Sequence, residues 1–102
     1  MTKAKSEVKE RLREKLTPPS NWEIVFFNDP KTPQSFVKNV LIAFFDLTSN
    51  DASLFIAKVE KNNEASIGEF SRSIAETKCE QIIKLASSHG YPLVLEARKI
   101  ER

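Results

Sequence analysis

The sequence is short of the residues that most chemistry needs: two glycines, one histidine and one cysteine among 102 residues. Gly68 and Gly90 lie too far apart to form a glycine-rich phosphate loop. His89 is the single imidazole; beside the helix-ending Gly90 it reads better as a partner for a helix C-terminus than as a general base. Cys79 excludes an internal disulfide framework, and without Cys or His neighbours it builds no structural zinc site. Between Lys78 and Glu80 it reads as a packed or half-exposed, inert thiol. No nucleophile with a base, paired carboxylates or metal cluster is visible, so the expectation is a protein that is not an enzyme and needs no cofactor or metal.

Long apolar runs are missing too. Nothing approaches the roughly 20 residues of a membrane-spanning helix, the N-terminus has no apolar signal-peptide segment, and Glu7, Glu10 and Glu14 count against an acid-poor transit peptide. The expectation is a soluble cytoplasmic protein with no membrane partner. The formal charge of +2 hides an asymmetry: residues 1–16 carry six basic and three acidic side chains, leaving ten basic and eleven acidic for the rest. The body of the chain therefore lacks the clustered cations of a nucleic-acid footprint. Monomer is the default for so small and polar a surface.

Hydrophobic residues make up 40% of the chain and include seven phenylalanines, enough for one modest core. Residues 1–16 repeat Ala4, Val8, Leu12 and Leu16 every four positions, a stripe thin enough to read as a solvated tail or as a marginal docked helix. Thr17-Pro18-Pro19-Ser20-Asn21 stiffens the junction. The expected organisation is a mobile N-terminal extension over residues 1–21 and a core domain over residues 22–102.

The core is organised around residues 22–36. Trp22 to Phe27 is a β-branched and aromatic run that predicts a buried strand, stopped by Asn28-Asp29-Pro30. Thr32-Pro33 then opens a helix, with proline at its first position and threonine able to cap. Phe36, Val37, Val40, Leu41, Phe44 and Phe45 form its two-residue-wide apolar stripe. Thr48 and Asp51 resemble a capping box for a second helix through Lys61 with Ala52, Phe55, Ile56 and Val59 inward, ended by Asn62-Asn63. Ala65 to Phe70 predicts a second strand in which Gly68 signals a bulge or close approach. Ser71 or Ser73 caps a third helix carrying Ile74, Ala75, Ile82, Ile83, Leu85 and Ala86, closed by His89-Gly90. Leu93 to Ala97 is the third strand. The fold class is α+β, in the order β-α-α-β-α-β, with three helices packed on one face of a three-stranded, mainly antiparallel sheet.

Recognition is what remains. Asn28, Asp29 and Thr32 stand beside apolar Phe27, and the second helix ends on Ile56, Val59 and Glu60. If those two places meet, hydrogen-bond acceptors rim an apolar recess suited to an amine next to a hydrophobic side chain. The plainer alternative is that Asn28 and Asp29 stabilise a turn and Glu60 is solvated.

A series of motifs, weak singly and specific in their order, resembles the ClpS family of bacterial Clp protease adaptors: Pro18-Pro19, Asn28-Asp29, Thr32-Pro33 with Phe36-Val37, Phe44-Phe45, Gly68-x-Phe70, Ala75-Glu76-Thr77-Lys78 and Pro92-Leu93. The resemblance covers Thr17 to the C-terminus. It implies an adaptor that binds substrate proteins through a bulky hydrophobic N-terminal residue, docks on the N-terminal domain of the Clp ATPase (ClpA), and delivers them for degradation by ClpAP. It assigns Asn28, Asp29 and Thr32 to the substrate's α-amino end. The apolar pocket falls on Phe27, Val37, Ile56, Val59 and Leu93, and ATPase docking on Glu76 and Lys78; residues 1–16 match an extension important for delivery. Three positions depart from the family pattern: Pro30 stands in place of a second aspartate, Glu60 in place of the histidine that helps hold the amine, and Gln34 in place of the gate methionine. A carboxylate is a better ammonium acceptor than a neutral imidazole, so Glu60 is the expected replacement partner. A bulky Phe27 and a polar Gln34 imply an altered side-chain preference. The alternative is a regulator that docks on the ATPase without binding such substrates, its pocket having decayed at Pro30, Glu60 and Gln34.

Overall fold

The computed structural model describes residues 21–101. The N-terminal extension expected over residues 1–21 lies outside them except for Asn21, whose carbonyl accepts the Ile100 N-H at 2.7 Å. Trp22–Phe27 forms strand β1, followed by helix α1 (Gln34–Phe45), helix α2 (Ser49–Asn62), strand β2 (Glu64–Phe70), helix α3 (Arg72–Ser88) and strand β3 (Leu95–Lys99). The sheet order is β2-β1-β3 and both pairings are antiparallel. Three helices and a three-stranded antiparallel sheet are the architecture the sequence predicts.

The apolar run of β1 suits its central place, because a middle strand is covered on both sides. Ile24 and Phe26 enter the core with the helices. Val25 points the other way yet is only 1% exposed. Its neighbours across the ladder are Ser66 and Glu96, and the ion pair between Glu64 and Arg98 (3.5 Å) joins the two outer strands diagonally over it. Gly68 meets its expectation: the β1–β2 register slips between Trp22 and Ile24. At Gly68, φ is +155° and a Cβ would sit 3.0 Å from both Glu23 Cα and Trp22 O, so only glycine lets the backbones approach this closely.

The stripe of α1 buries Val40 and Leu41 and packs its four aromatic and valine neighbours on the core. Phe26 meets Phe45 and Phe55 edge-on at centroid distances of 5.8 and 5.4 Å, arrangements that suit ring quadrupoles. The helix ends in a left-handed Asp46 (φ 55°), and Lys78 from α3 donates to the Phe44 carbonyl at 2.8 Å, satisfying a terminal acceptor with a cation. Thr48 caps α2 as predicted, accepting the Asp51 N-H at 3.1 Å, and Asn63 ends it in the left-handed conformation (φ 67°). Ser71, not Ser73, caps α3 by accepting the Ile74 N-H at 3.3 Å. Tyr91 N-H returns to the Ala86 carbonyl at 2.9 Å past Gly90 (φ +77°), closing the helix as predicted.

Three local expectations change. Thr32 does not cap α1: the N-cap is Pro33, which makes no side-chain cap bond, and the Thr32 side chain is turned into the preceding turn, where its hydroxyl donates to Asp29. The apolar residues of α3 divide, with Ala75, Cys79, Ile82 and Ala86 inward while Ile74 is 51% exposed and Ile83 and Leu85 face outward. Spacing of three and four residues selects the inner set; the others lie off that stripe. Strand β3 starts two residues later than predicted. Leu93 is drawn inward before the ladder begins, and Val94 is tied only through its carbonyl to the Phe27 N-H at 3.3 Å.

Candidate functional site

Beyond Phe27 the chain leaves the sheet, and the Asn28 N-H donates to the Asn63 carbonyl at 2.9 Å. That bond fastens the turn after β1 to the C-terminal end of α2. The condition posed by the sequence is therefore met: the last turn of α2 lies beside the strand-to-helix turn.

The turn is built by Asp29. Its Oδ1 accepts the Lys31 N-H at 3.0 Å and its Oδ2 accepts the Thr32 hydroxyl at 2.5 Å, the length of a charge-assisted bond. These bonds, the Thr32 hydroxyl first and the Lys31 amide second, hold the Asp29 carboxyl below the usual carboxylate range. Thr32 is buried, so its hydroxyl serves the turn. The Asn28 carboxamide, in contrast, is exposed and makes no hydrogen bond among the described residues.

Between this turn, α1 and α2 opens a cavity of about 260 Å³. Its apolar wall comes from Val37 on α1, Ile56 and Val59 on α2, and Leu93 from the segment before β3. Asn28, Asp29 and Thr32 line the turn side, Glu60 the end of α2, Gln34 the start of α1, and Phe27 the end of β1. All ten residues assigned from the sequence to amine contact and pocket thus meet at one opening. Phe26 and Pro30 line it as well and were missed. Strand alternation holds the signal for Phe26, which shares the inward face with Ile24; Pro30 reads from sequence as a strand stop and a replaced aspartate, neither of which marks it as cavity lining.

At the mouth, the Gln34 carboxamide donates to the Glu60 carboxylate, linking the first residue of α1 to the last turn of α2. Both side chains are exposed. Two of the three departures from the family pattern are therefore partners of each other, a pairing across 26 positions that no local pattern announces.

Glu76 and Lys78 do not line this cavity. Glu76 pairs with Arg72 at 3.3 Å, and the Arg72 guanidinium lies 5.4 Å from the Trp22 ring centroid. Lys78, besides holding the Phe44 carbonyl, lies 5.4 Å from the Phe45 ring centroid. His89 sits by Phe36 and stacks on Tyr91 at 5.8 Å, a packing contact. Burial pushes the Cys79 thiol up to about 11, with the Glu76 and Glu96 carboxylates adding to it, so it is a neutral core group. Among the described residues no cluster of three His, Cys, Asp or Glu side chains could hold a metal, and no helix is long and apolar enough to cross a membrane.

Comparison with known proteins gives a consistent picture. The sequence model of the family described as ATP-dependent Clp protease adaptor protein ClpS matches residues 17–96. The chain is 35% identical over 89 residues to the ATP-dependent Clp protease adapter protein ClpS of Treponema denticola, covering 87% of this chain and 88% of that one. It is 37% identical over 91 residues to the protein of the same description from Burkholderia cenocepacia, covering 89% and 88%. Among solved structures, Agrobacterium tumefaciens ClpS2 bound to L-phenylalaninamide superimposes with a TM-score of 0.73 at 27% identity, over 76% of this chain and 94% of that one.

Proposed function

The chain belongs to the ClpS family of Clp protease adaptors, and from that premise we propose that its cavity receives the N-terminal residue of substrate proteins, for delivery to the ClpA ATPase of the cytoplasmic ClpAP protease. The observation that carries the proposal is the composition of the opening: an apolar wall of Val37, Ile56, Val59 and Leu93 in one cavity with the oxygen-bearing side chains of Asn28, Asp29 and Glu60. A chain start offers the complementary pair, an ammonium next to a side chain. The L-phenylalaninamide bound by the Agrobacterium relative has the same pair, an α-amine beside a benzyl group.

Size agrees. Pockets for drug-sized ligands span about 300–1,000 Å³, and a cavity of about 260 Å³ suits one residue. A hydrogen bond to a charged group contributes about 1.5–3 kcal/mol, and burial of one large apolar side chain about the same. Two or three such contributions, less the cost of association, reach roughly micromolar affinity. The exposed, unbonded carboxamide of Asn28 and the carboxylate of Glu60 are the amine acceptors; Asp29 shapes the turn and adds negative potential. Glu76 and Lys78 on α3 belong to the face that meets the ATPase, with Lys78 also bracing α1. Pro30, Gln34 and Glu60 leave the cavity open, which gives the pocketless-regulator alternative no support.

Fluorescence anisotropy with a labelled peptide beginning with Phe, beside its N-acetylated twin, tests the reading. Micromolar binding lost on acetylation is the expected result; failure of both peptides to bind would overturn it.

A further inference from the structure

The cavity has an annex. A second depression of about 370 Å³ runs between α1 and α2 and shares Gln34, Ile56 and Glu60 with the first, so that these three form a common sill. Beyond the sill it is lined by Ser35, Lys38, Ser53 and Ala57. Its charged groups are thus Glu60 at the sill and Lys38 beyond it. Lys38 is half-buried and enters no hydrogen bond or ion pair among the described residues.

Resting on the proposed function, we infer that this groove takes the continuing substrate chain, and that Lys38 selects an acidic side chain at the third residue. With the amine held at Asn28 and Glu60 and the first side chain in the cavity, the main chain leaves across the sill into the adjoining depression. In an extended peptide alternate side chains share a face, so residues one and three point at the protein and residue two points away. Two residues of extended chain advance about 7 Å. Lys38 follows Gln34 by one turn of α1, about 6 Å of helix rise. The third side chain therefore arrives where the unpaired ammonium stands, and the Ser35 and Ser53 hydroxyls can hydrogen-bond its carboxylate or the passing backbone. Glu60, facing the ammonium of residue one, and Lys38, facing residue three, make a charge pattern that fixes the direction of the chain.

The test uses Phe-initiated peptides in which Asp, Ala or Lys occupies position three, with a parallel set varied at position two, measured by anisotropy on the full chain at low and high salt. At position three, aspartate should bind about threefold tighter than alanine and lysine about threefold weaker, the size of an exposed ion pair. The spread should collapse at 1 M salt, where screening shortens to about 3 Å. Lys38→Gln should erase it and Lys38→Glu reverse it. Equal binding of the three peptides, a preference confined to position two, or a preference indifferent to Lys38→Glu would overturn the inference while leaving the proposed function standing. Failure of every free-amine peptide to outbind its acetylated control would overturn both.

Discussion

Replacing Glu60 by alanine probes the reading most directly, because the proposal gives this carboxylate a task that the free protein does not require of it. In the free protein it accepts the Gln34 carboxamide at the cavity mouth. An arriving ammonium would substitute a charge-assisted bond worth about 1.5–3 kcal/mol for a bond worth about 0.5–1.5 kcal/mol. Glu60 is exposed, which puts both at the low end of their ranges. The difference is about 1 kcal/mol, so Glu60→Ala should weaken a Phe-initiated peptide about fivefold. The assay is anisotropy at about 0.1 M salt, with a thermal melt to show that the exposed substitution leaves the fold intact. Gln34→Ala supplies the control: it frees the carboxylate, should tighten binding about twofold, and should enlarge the effect of Glu60→Ala made in that background. If Glu60 served only to hold Gln34, the two variants would weaken binding alike and the double variant would add nothing. Affinity of Glu60→Ala equal to wild type would refute the reasoning outright.

The Asp29 turn and the Gly68 bulge give two further tests. Because the Asp29 carboxyl is held below its ordinary value, its contribution to stability is present above the unfolded-state value of about 3.9 and is lost as pH falls through the folded value; Thr32→Val should shrink that acid-side loss in urea midpoints measured between pH 2.5 and 5. Gly68→Ala should cost about 1–3 kcal/mol, since a Cβ would press on Trp22 O and Glu23 Cα from a backbone conformation that L side chains rarely adopt; an unchanged melting temperature would contradict the close approach described.

The element order was legible because each transition carries its own local chemistry. Asn28-Asp29-Pro30 stops β1, Thr48 accepts from Asp51 where α2 begins, and Gly68 marks the slip in β2. These depend on neighbours a few residues apart. What the sequence misplaced depends on competition from afar or on alternative partners nearby. Thr32 could turn its hydroxyl oxygen to accept from the first turn of α1 or its O-H to donate to Asp29, and in the folded turn the side chain lies with the carboxylate. Leu93 reads as strand, yet its burial before the ladder starts shifts β3 to Leu95. Ile74, Ile83 and Leu85 are apolar but lie off the stripe defined by Ala75, Cys79, Ile82 and Ala86. For the site, the residues were legible through family pattern, whereas the bond between Gln34 and Glu60 was not, since it exists only once α1 and α2 are side by side.

The central place of β1 sets a limit on how this protein can read anything. Flanked by a strand on each side, the strand that feeds the opening has no free edge to lend, so a guest cannot be stitched on there as one more ribbon of the sheet. On the proposed function, with the amine as the feature that is held, recognition begins with a terminus, and the same residues displayed mid-chain, however hydrophobic, would pass unnoticed. Whether a protein is seen would be decided by the cut that created its first residue.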